Sequence, residues 1–253
     1  RDEGKLLDLK FKYPDINIIT GDVADEYTAQ QACNDMDTCF HLAAFKHVGI
    51  AQVQPYECYR SNVEGTANLL KHFKGQYFLM TSTDKAAQVT GVYGASKYIA
   101  EQLIHEHAKK QTRTKYRVVR YGNVLYSTGS VLVKWKKLIQ AGEPVTITDP
   151  NATRYFWTVD QAIDLIFKCG QWATDSNPYC PEMKSMGMGD LLDAMIKKYD
   201  QRRWAALSDK FPPYTINTTG LQPGENKHEK ITEDGISSEH ADKWTIEEIM
   251  ELI

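Results

Sequence analysis

No run of apolar residues in this chain approaches the ~18–20 needed to cross a bilayer, and its first residues lack the pattern of a secretory signal. Its five cysteines, Cys33, Cys39, Cys58, Cys169 and Cys180, are odd in number and include no Cys-x-x-Cys pair. That excludes a complete disulfide frame and a cysteine-type zinc site, and it reads as reduced thiols of a cytoplasmic protein. The seven histidines show no His-x-x-x-His or His-Glu-x-x-His spacing, so no metal is expected. Neither sign of charge dominates: 30 Lys and Arg against 33 Asp and Glu leave a formal net charge of −3. Such a balance argues against a dedicated nucleic-acid or anionic-membrane binder. Internal repeats and low-complexity linkers are absent, and residues 1–30 hold no glycine-rich turn, only Gly4 and Gly21.

What is present is the composition of an ordinary globular protein, 42% hydrophobic and 25% charged over 253 residues. That length suffices for one large domain with a smaller lobe. Asp15-Ile-Asn-Ile-Ile-Thr20 reads as a strand ending in Gly21-Asp22-Val23, followed by a short helix from about Tyr27 to Asp35. Thr38-Cys-Phe-His-Leu-Ala-Ala44 reads as the next strand, and a long helix is expected from about Pro55 to Phe73. Further strands are expected at Tyr77–Ser82 and Arg117–Tyr121, with a helix from about Tyr93 to Lys110 between them. Alternation of this kind implies βαβ units, hence an α/β fold with a doubly wound, mainly parallel, Rossmann-like sheet. The pattern loosens after residue 123. We therefore expect a nucleotide-binding core over 1–123 and a smaller C-terminal substrate-binding lobe over 124–253, with about 155–180 returning to the core. A sheet of this type normally opens with a strand, a glycine-rich turn and a helix holding a pyrophosphate. Their absence here would split the sheet and leave inner strand edges unpaired. The expectation is that roughly 30–40 further N-terminal residues belong to the working protein.

The most telling stretch is Ser82-Thr83-Asp84-Lys85 at the end of an apolar strand, followed after eight intervening residues by Tyr93-Gly-Ala-Ser-Lys97. In open α/β sheets the ligand crevice lies beyond the carboxyl ends of the strands, where Thr83, Asp84 and Lys85 fall. Tyr93 and Lys97 are four apart and share a helix face. A lysine there is expected to lower the phenol pKa and make Tyr93 a base for an alcohol whose hydride leaves for a nicotinamide. Alone, Tyr-x-x-x-Lys also fits a half-buried tyrosine and a solvated lysine, and Ser-Thr-Asp also fits a helix cap. The combination is what points to chemistry.

With these residues in view, the chain resembles a short-chain dehydrogenase/reductase of the extended type, and more narrowly the soluble UDP-N-acetylglucosamine 4,6-dehydratases, including the inverting type. The likeness is carried by Arg1-Asp-Glu, Gly21-Asp22-Val23, His41-Leu-Ala-Ala-Phe-Lys-His-Val48, Ser82-Thr-Asp-Lys-Ala86 and Tyr93-Gly-Ala-Ser-Lys97. It continues through Arg120-Tyr-Gly-Asn-Val124, Gly129-Ser-Val131, Ile147-Thr-Asp149, Thr153-Arg154 and Pro223-Gly-Glu225. The chain departs from that family's pattern at Gly49, at Gln88-Val89, and at Gln222 and Asn226, where two positive charges are missing.

The resemblance implies NADP as cofactor, with NAD the alternative. Arg1 would meet the 2′-phosphate, and Asp22, Val23, Ala43, Ala44, Lys46, Tyr93 and Lys97 would line the rest of the cofactor site. It implies a UDP-sugar substrate held by Lys46, His47, Asn123, Ser130, Val131, Arg154 and Glu225, and a homo-oligomer paired through the Pro55 and Tyr93 helices. Thr83, Asp84, Lys85, Tyr93 and Lys97 would be catalytic. Lys85 would serve as base at C5, provided burial or Lys97 depresses its pKa, and Asp84 as acid at O6. Plainer readings stay open: Lys46 and His47 as loop polar groups, Arg154 as a solvated charge, Asn62 as a brace between helices. A UDP-hexose 4-epimerase or keto-sugar reductase would keep Tyr93 and Lys97 without needing Asp84 and Lys85. A catalytically silent nucleotide-binding protein would need none of the five.

Overall fold

The computed structural model describes residues 2–200 and 214–253. In chain order the elements are α1 (Glu3–Lys12), α2 (Glu26–Cys33), β1 (Thr38–His41), α3 (Val48–Val53) and α4 (Pro55–Tyr59). A π turn at Arg60–Glu64 links α4 to α5 (Gly65–His72), and β2 (Tyr77–Thr83) runs into a 3-10 turn at Asp84–Ala86. Then come α6 (Val92–Lys110), β3 (Lys115–Tyr121), β4 (Asn123–Val124), α7 (Val131–Ala141), β5 (Val145–Ile147) and β6 (Thr153–Trp157). The last are α8 (Val159–Trp172), β7 (Pro178–Tyr179), β8 (Ser185–Gly187), α9 (Met188–Tyr199), β9 (Ile216–Thr218) and α10 (Ile246–Leu252).

β1, β2, β3 and β7 form a parallel sheet in that order, with Thr38 opposite Tyr77 and Tyr77 opposite Lys115. Side chains of a strand alternate between faces, and β2 is apolar on both. Phe78 and Met80 pack with Leu69 and Leu70 of α5 and Ala100 and Ile104 of α6. Leu79 packs on the other face with Val119, Leu165 and Cys169, so α8 covers that side. Helices on both faces of a parallel sheet are the expected doubly wound α/β arrangement. A third cluster unites Trp135 and Ile139 of α7, Val145 and Ile147 of β5, and Leu191 and Met195 of α9. It encloses the smaller sheet β4-β6-β8 and the β5–β9 pair. α8 starts with a capping box, Thr158 and Gln161 exchanging hydrogen bonds with each other's backbone, which fixes where it leaves β6.

Three expectations require correction. Residues 15–20 form no strand: 14 and 15 make a turn, and 16–20 pair with none of the described strands, whereas a strand exists only where a ladder joins it to a neighbour. The strand expected over Thr38–Ala44 stops at His41, and Leu42, Ala43 and Ala44 run on exposed. The Pro55 helix is continuous through residue 72 but carries the π turn, within which Asn62 is buried. In addition α1, which the sequence reading did not anticipate, is capped by Asp2 on the Lys5 amide and buries none of its residues.

Candidate active site

Strand β2 delivers Thr83 to the carboxyl edge of the sheet, and the turn after it begins there. The Thr83 hydroxyl accepts weakly from the Lys85 amide at 3.4 Å and donates to Asp84 Oδ1 at 2.9 Å. Asp84 is 1% exposed, and Lys85 Nζ lies 3.0 Å from its Oδ1. The same ammonium lies 3.3 Å from Oε1 of Glu229, a residue of the C-terminal segment that is fully buried. Glu229 is anchored from several sides. Its amide donates to Ser238 Oγ at 2.8 Å, its carbonyl accepts from the Ser238 amide at 2.7 Å, and its Oε2 accepts from Asn226 at 3.1 Å. Arg154 Nε stands 3.7 Å from Oε1. Despite this company, Asp84 Oδ2 and Glu229 Oε1 have no hydrogen-bond donor.

Burial drives the Asp84 pKa up, Glu229 drives it further, and Lys85 only partly opposes them, so Asp84 is the carboxyl that holds a proton most readily. Burial also acts to raise Glu229, but the cations Lys85 and Arg154 outweigh it and hold that carboxyl below its ordinary range. The two carboxyls beside this one ammonium thus have their pKa values pushed in opposite directions, Asp84 up and Glu229 down. Lys85 corrects the sequence reading. Burial does act to lower its pKa, but Asp84 and Glu229 prevail and hold it above the ordinary lysine value. In this arrangement Lys85 is an ammonium.

Tyr93 enters from the first turn of α6, half-buried, and shares a narrow crevice with Lys85, Val48, Thr90, Gly91, Gly94 and Gly224. Burial pushes its phenol up to about 12; Lys85 and a hydrogen bond to Thr83 pull the other way. This differs from expectation twice: the phenol stands above its ordinary value and not below it, and the cation acting on it is Lys85, not Lys97. One turn on, Lys97 is buried and pulled down to about 8 by burial, which the charge of Glu101 only partly offsets. Glu101 gives both oxygens to Arg120, at 2.8 and 2.6 Å, and Lys97 forms no ion pair with any described residue. Asn62, in the π turn, donates to Ser96 Oγ of α6 at 2.9 Å and exchanges two hydrogen bonds with the backbone of Phe45, at 2.7 and 2.9 Å. It therefore ties the loop after β1 to α6. π turns recur at functional sites.

The remaining expected residues fall in three places. Asp22 caps the Ala24 amide at 3.0 Å, and Val23 packs on Gly65, where an added Cβ would stand 2.7 Å from its Cγ2. Ala43, Ala44, Lys46 and His47 lie exposed along the loop after β1. The His47 ring abuts Gly129, bringing that loop against Ser130 and Val131 at the start of α7. Ser130 Oγ is shielded there with no hydrogen-bond partner. Asn123 donates to the Tyr155 carbonyl at 3.3 Å. Arg154 and Glu225 hold each other at 2.7 Å, and Arg154 also donates to the carbonyls of Thr153 and Lys227, so its fork is directed inward. Arg1 lies outside the described residues. The residue that the sequence reading missed is Glu229. Its only signal was its place just past Pro223-Gly-Glu225, since its surroundings are set by Ser238, nine residues on, and by the distant Lys85.

Among known proteins, a family described as polysaccharide biosynthesis protein matches residues 4–252. A Methanocaldococcus jannaschii protein described as an uncharacterized membrane protein is 34% identical over 221 residues, 85% of this chain and 65% of its own length. A UDP-N-acetylglucosamine 4,6-dehydratase (inverting) of Campylobacter jejuni is 30% identical over 237 residues, 90% of this chain and 66% of its own length. The chain thus spans about two thirds of these relatives. The X-ray structure of Pen from Bacillus thuringiensis superposes with a TM-score of 0.83 at 29% identity, covering 92% of this chain and 73% of that one. No helix among the described residues is long and apolar enough to cross a membrane. By sequence, the chain belongs to the polysaccharide biosynthesis protein family, and its fold is the Rossmann-like one of the short-chain dehydrogenases/reductases.

Proposed function

We propose that this chain carries the acid–base machinery of a UDP-N-acetylglucosamine 4,6-dehydratase, using NADP in preference to NAD. The observation that carries the reading is the cluster of Asp84, Lys85 and Glu229 around one point beside Thr83 and Tyr93. Simple alcohol oxidation needs Tyr93 and Lys97; an acid and an amine at the neighbouring carbons are needed only to eliminate water. This argues against the 4-epimerase and keto-reductase readings. Support for a cofactor comes from Lys97, a buried ammonium without an ion pair one turn from Tyr93, which suits the hydroxyls of a nicotinamide ribose. Asp22 and Val23 suit the adenine end. Support for a nucleotide diphosphate comes from Ser130 Oγ, unpartnered at the first turn of α7, where helix amides favour anions.

The nicotinamide, when bound, would accept the hydride of C4 and return it at C6. Thr83 donates to O4, and Tyr93 takes the O4 proton. The ketone so formed acidifies the C5 proton, which Lys85 takes in its amine form. Asp84 gives a proton to O6, and the C6–O bond breaks with loss of water. The Lys85 ammonium exchanges its protons with solvent and then reprotonates C5, and the proton that Tyr93 took from O4 replaces the one lost with water. Return to the opposite face of C5 would invert that centre. Mass spectrometry of the nucleotide product separates the readings: loss of one water supports the dehydratase, while a product of unchanged mass with altered C4 configuration supports an epimerase.

A further inference from the structure

Glu229 has no place in the chemistry just described, yet it is fully buried, its backbone and one carboxylate oxygen are fixed, and its other oxygen faces Lys85 at 3.3 Å without a hydrogen bond. A buried carboxylate whose free oxygen meets an ammonium is costly unless the charge has a use. We infer that Glu229 is a positioning residue of the elimination, holding Lys85 Nζ against Asp84 and fixing when Lys85 gives up its proton. The inference rests on the dehydratase reading and deepens it.

The groups that face Lys85 come from four segments: Asp84 from its own turn, Tyr93 from α6, Arg154 from β6 and Glu229 from the C-terminal segment. Arg154 is itself held by Glu225 and by two carbonyls, so it balances Glu229 without reaching Lys85's proton. The 3.0 Å contact with Asp84 gives that proton one short route. Transfer from Lys85 Nζ to Asp84 breaks one N–H bond and forms one O–H bond. Ammonium and carboxylate become amine and carboxylic acid, and no proton enters or leaves the site. The product pair is the base needed at C5 and the acid needed at O6. Glu229 opposes this exchange through its charge, so the pair stays unarmed until a substrate changes the surroundings, and it keeps Nζ within reach of Asp84 throughout. Its neighbour Asn226, one of the chain's departures from the family pattern, orients the carboxylate by donating to Oε2.

The test reads Lys85 directly, by the pH dependence of its acetylation in the full-length protein, followed by peptide mass spectrometry. In the natural protein the midpoint should lie above the ~10.4 of free lysine; a midpoint below it overturns the inference without any variant. Glu229→Gln should lower the midpoint by about one unit or more, a tenfold change in amine fraction, and Glu229→Asp should restore part of the shift. With UDP-N-acetylglucosamine and NADP⁺, the acid limb of kcat for C5 deuterium exchange should move to lower pH in the Gln variant while KM stays within about twofold. An unmoved midpoint, or a raised KM with unchanged kcat, would make Glu229 a structural or sugar-binding residue instead. If the natural protein leaves UDP-N-acetylglucosamine unchanged while the acetylation midpoint shifts as stated, the dehydratase reading fails and Glu229's hold on Lys85 stands.

Discussion

Two regions of this molecule, both at the working sheet, are finished to very different degrees. At the carboxyl end of β2, Asp84, Lys85, Arg154, Glu225 and Glu229 meet from three distant segments, and each finds an opposite charge within 4 Å. Along β1, one edge pairs with β2 and the other faces no described strand. There Phe40 is 46% exposed, Leu42 56% and Phe167 of α8 59%, with the rings of Phe40 and Phe167 6.3 Å apart. An open edge flanked by apolar side chains is a template for further pairing. The charged groups of the candidate site are thus held by the chain's own packing. The side of the sheet beyond β1 is where the described residues leave surface uncovered.

The largest effect expected from this contrast is at the closed end. Tyr93→Phe or Asp84→Asn should each lower turnover by about 10²–10⁴, the usual worth of a positioned proton-transfer group, with the fold kept by circular dichroism. In the Asn variant, C4 oxidation, read as nicotinamide absorbance, should persist while loss of water stops. Loss of both steps together would place Asp84 in binding instead.

Next in size is Lys97, a buried charge that has no ion pair among the described residues. Its folded-state pKa is about 8 against an ordinary 10.5. Between those values the unfolded chain binds a proton that the folded one has shed, so this group makes stability rise with pH from about 8 to 10.5. Below that window its full cost is present. Lys97→Met should therefore stabilise the cofactor-free protein at pH 7 by about 3 kcal/mol, with the gain gone by about pH 10.5, and should remove activity. Urea titration at two pH values checks it, and a Met variant less stable at pH 7 would show that Lys97 has a partner after all.

A smaller effect is expected where the C-terminal loop closes on the crevice. A Cβ at Gly91 would stand 2.7 Å from the Gly224 Cα, and Gly224 itself has φ +83°, a conformation natural to glycine. Gly91→Ala should push the 222–225 loop away and cost about 1–3 kcal/mol, with faster amide exchange confined to that loop and to 88–92. Smallest for stability, but visible in light scattering, is Phe40→Lys. It should change stability by less than about 0.5 kcal/mol and reduce self-association of the 253-residue chain. Unchanged association would mean that the β1 edge is not the adhesive surface.

What was legible in the sequence followed local periodicity. The apolar run at 77–83 is a strand buried on both faces, and the helix from Tyr93 to Lys110 lies within one residue of its observed start. Residues 15–20 have an equally good strand pattern and form none, because a strand is defined by its neighbour. Within α6 the apolar Tyr98 and Ile99 are exposed, while Lys97 and Glu101 are buried. The helix turns its polar side to Arg120 and the crevice, a preference that apolar spacing does not reveal. Thr83, Asp84, Lys85, Tyr93 and Lys97 could be picked out because two short motifs bring them together. Glu229 lies 144 residues from Lys85 and reaches it only through the folding of the lobe, so neither the closure of the site nor the proton state of Lys85 could be read in advance.

The measurement that bears most directly on the account is proton NMR of the full-length protein with UDP-N-acetylglucosamine and NADP⁺ in D₂O. A new 6-deoxy methyl signal, with deuterium at C5 and solvent exchange lost in Lys85→Met, is the predicted result. A methyl signal that forms with C5 still protonated, or with Lys85 replaced, would contradict the assignment of C5 chemistry to this cluster.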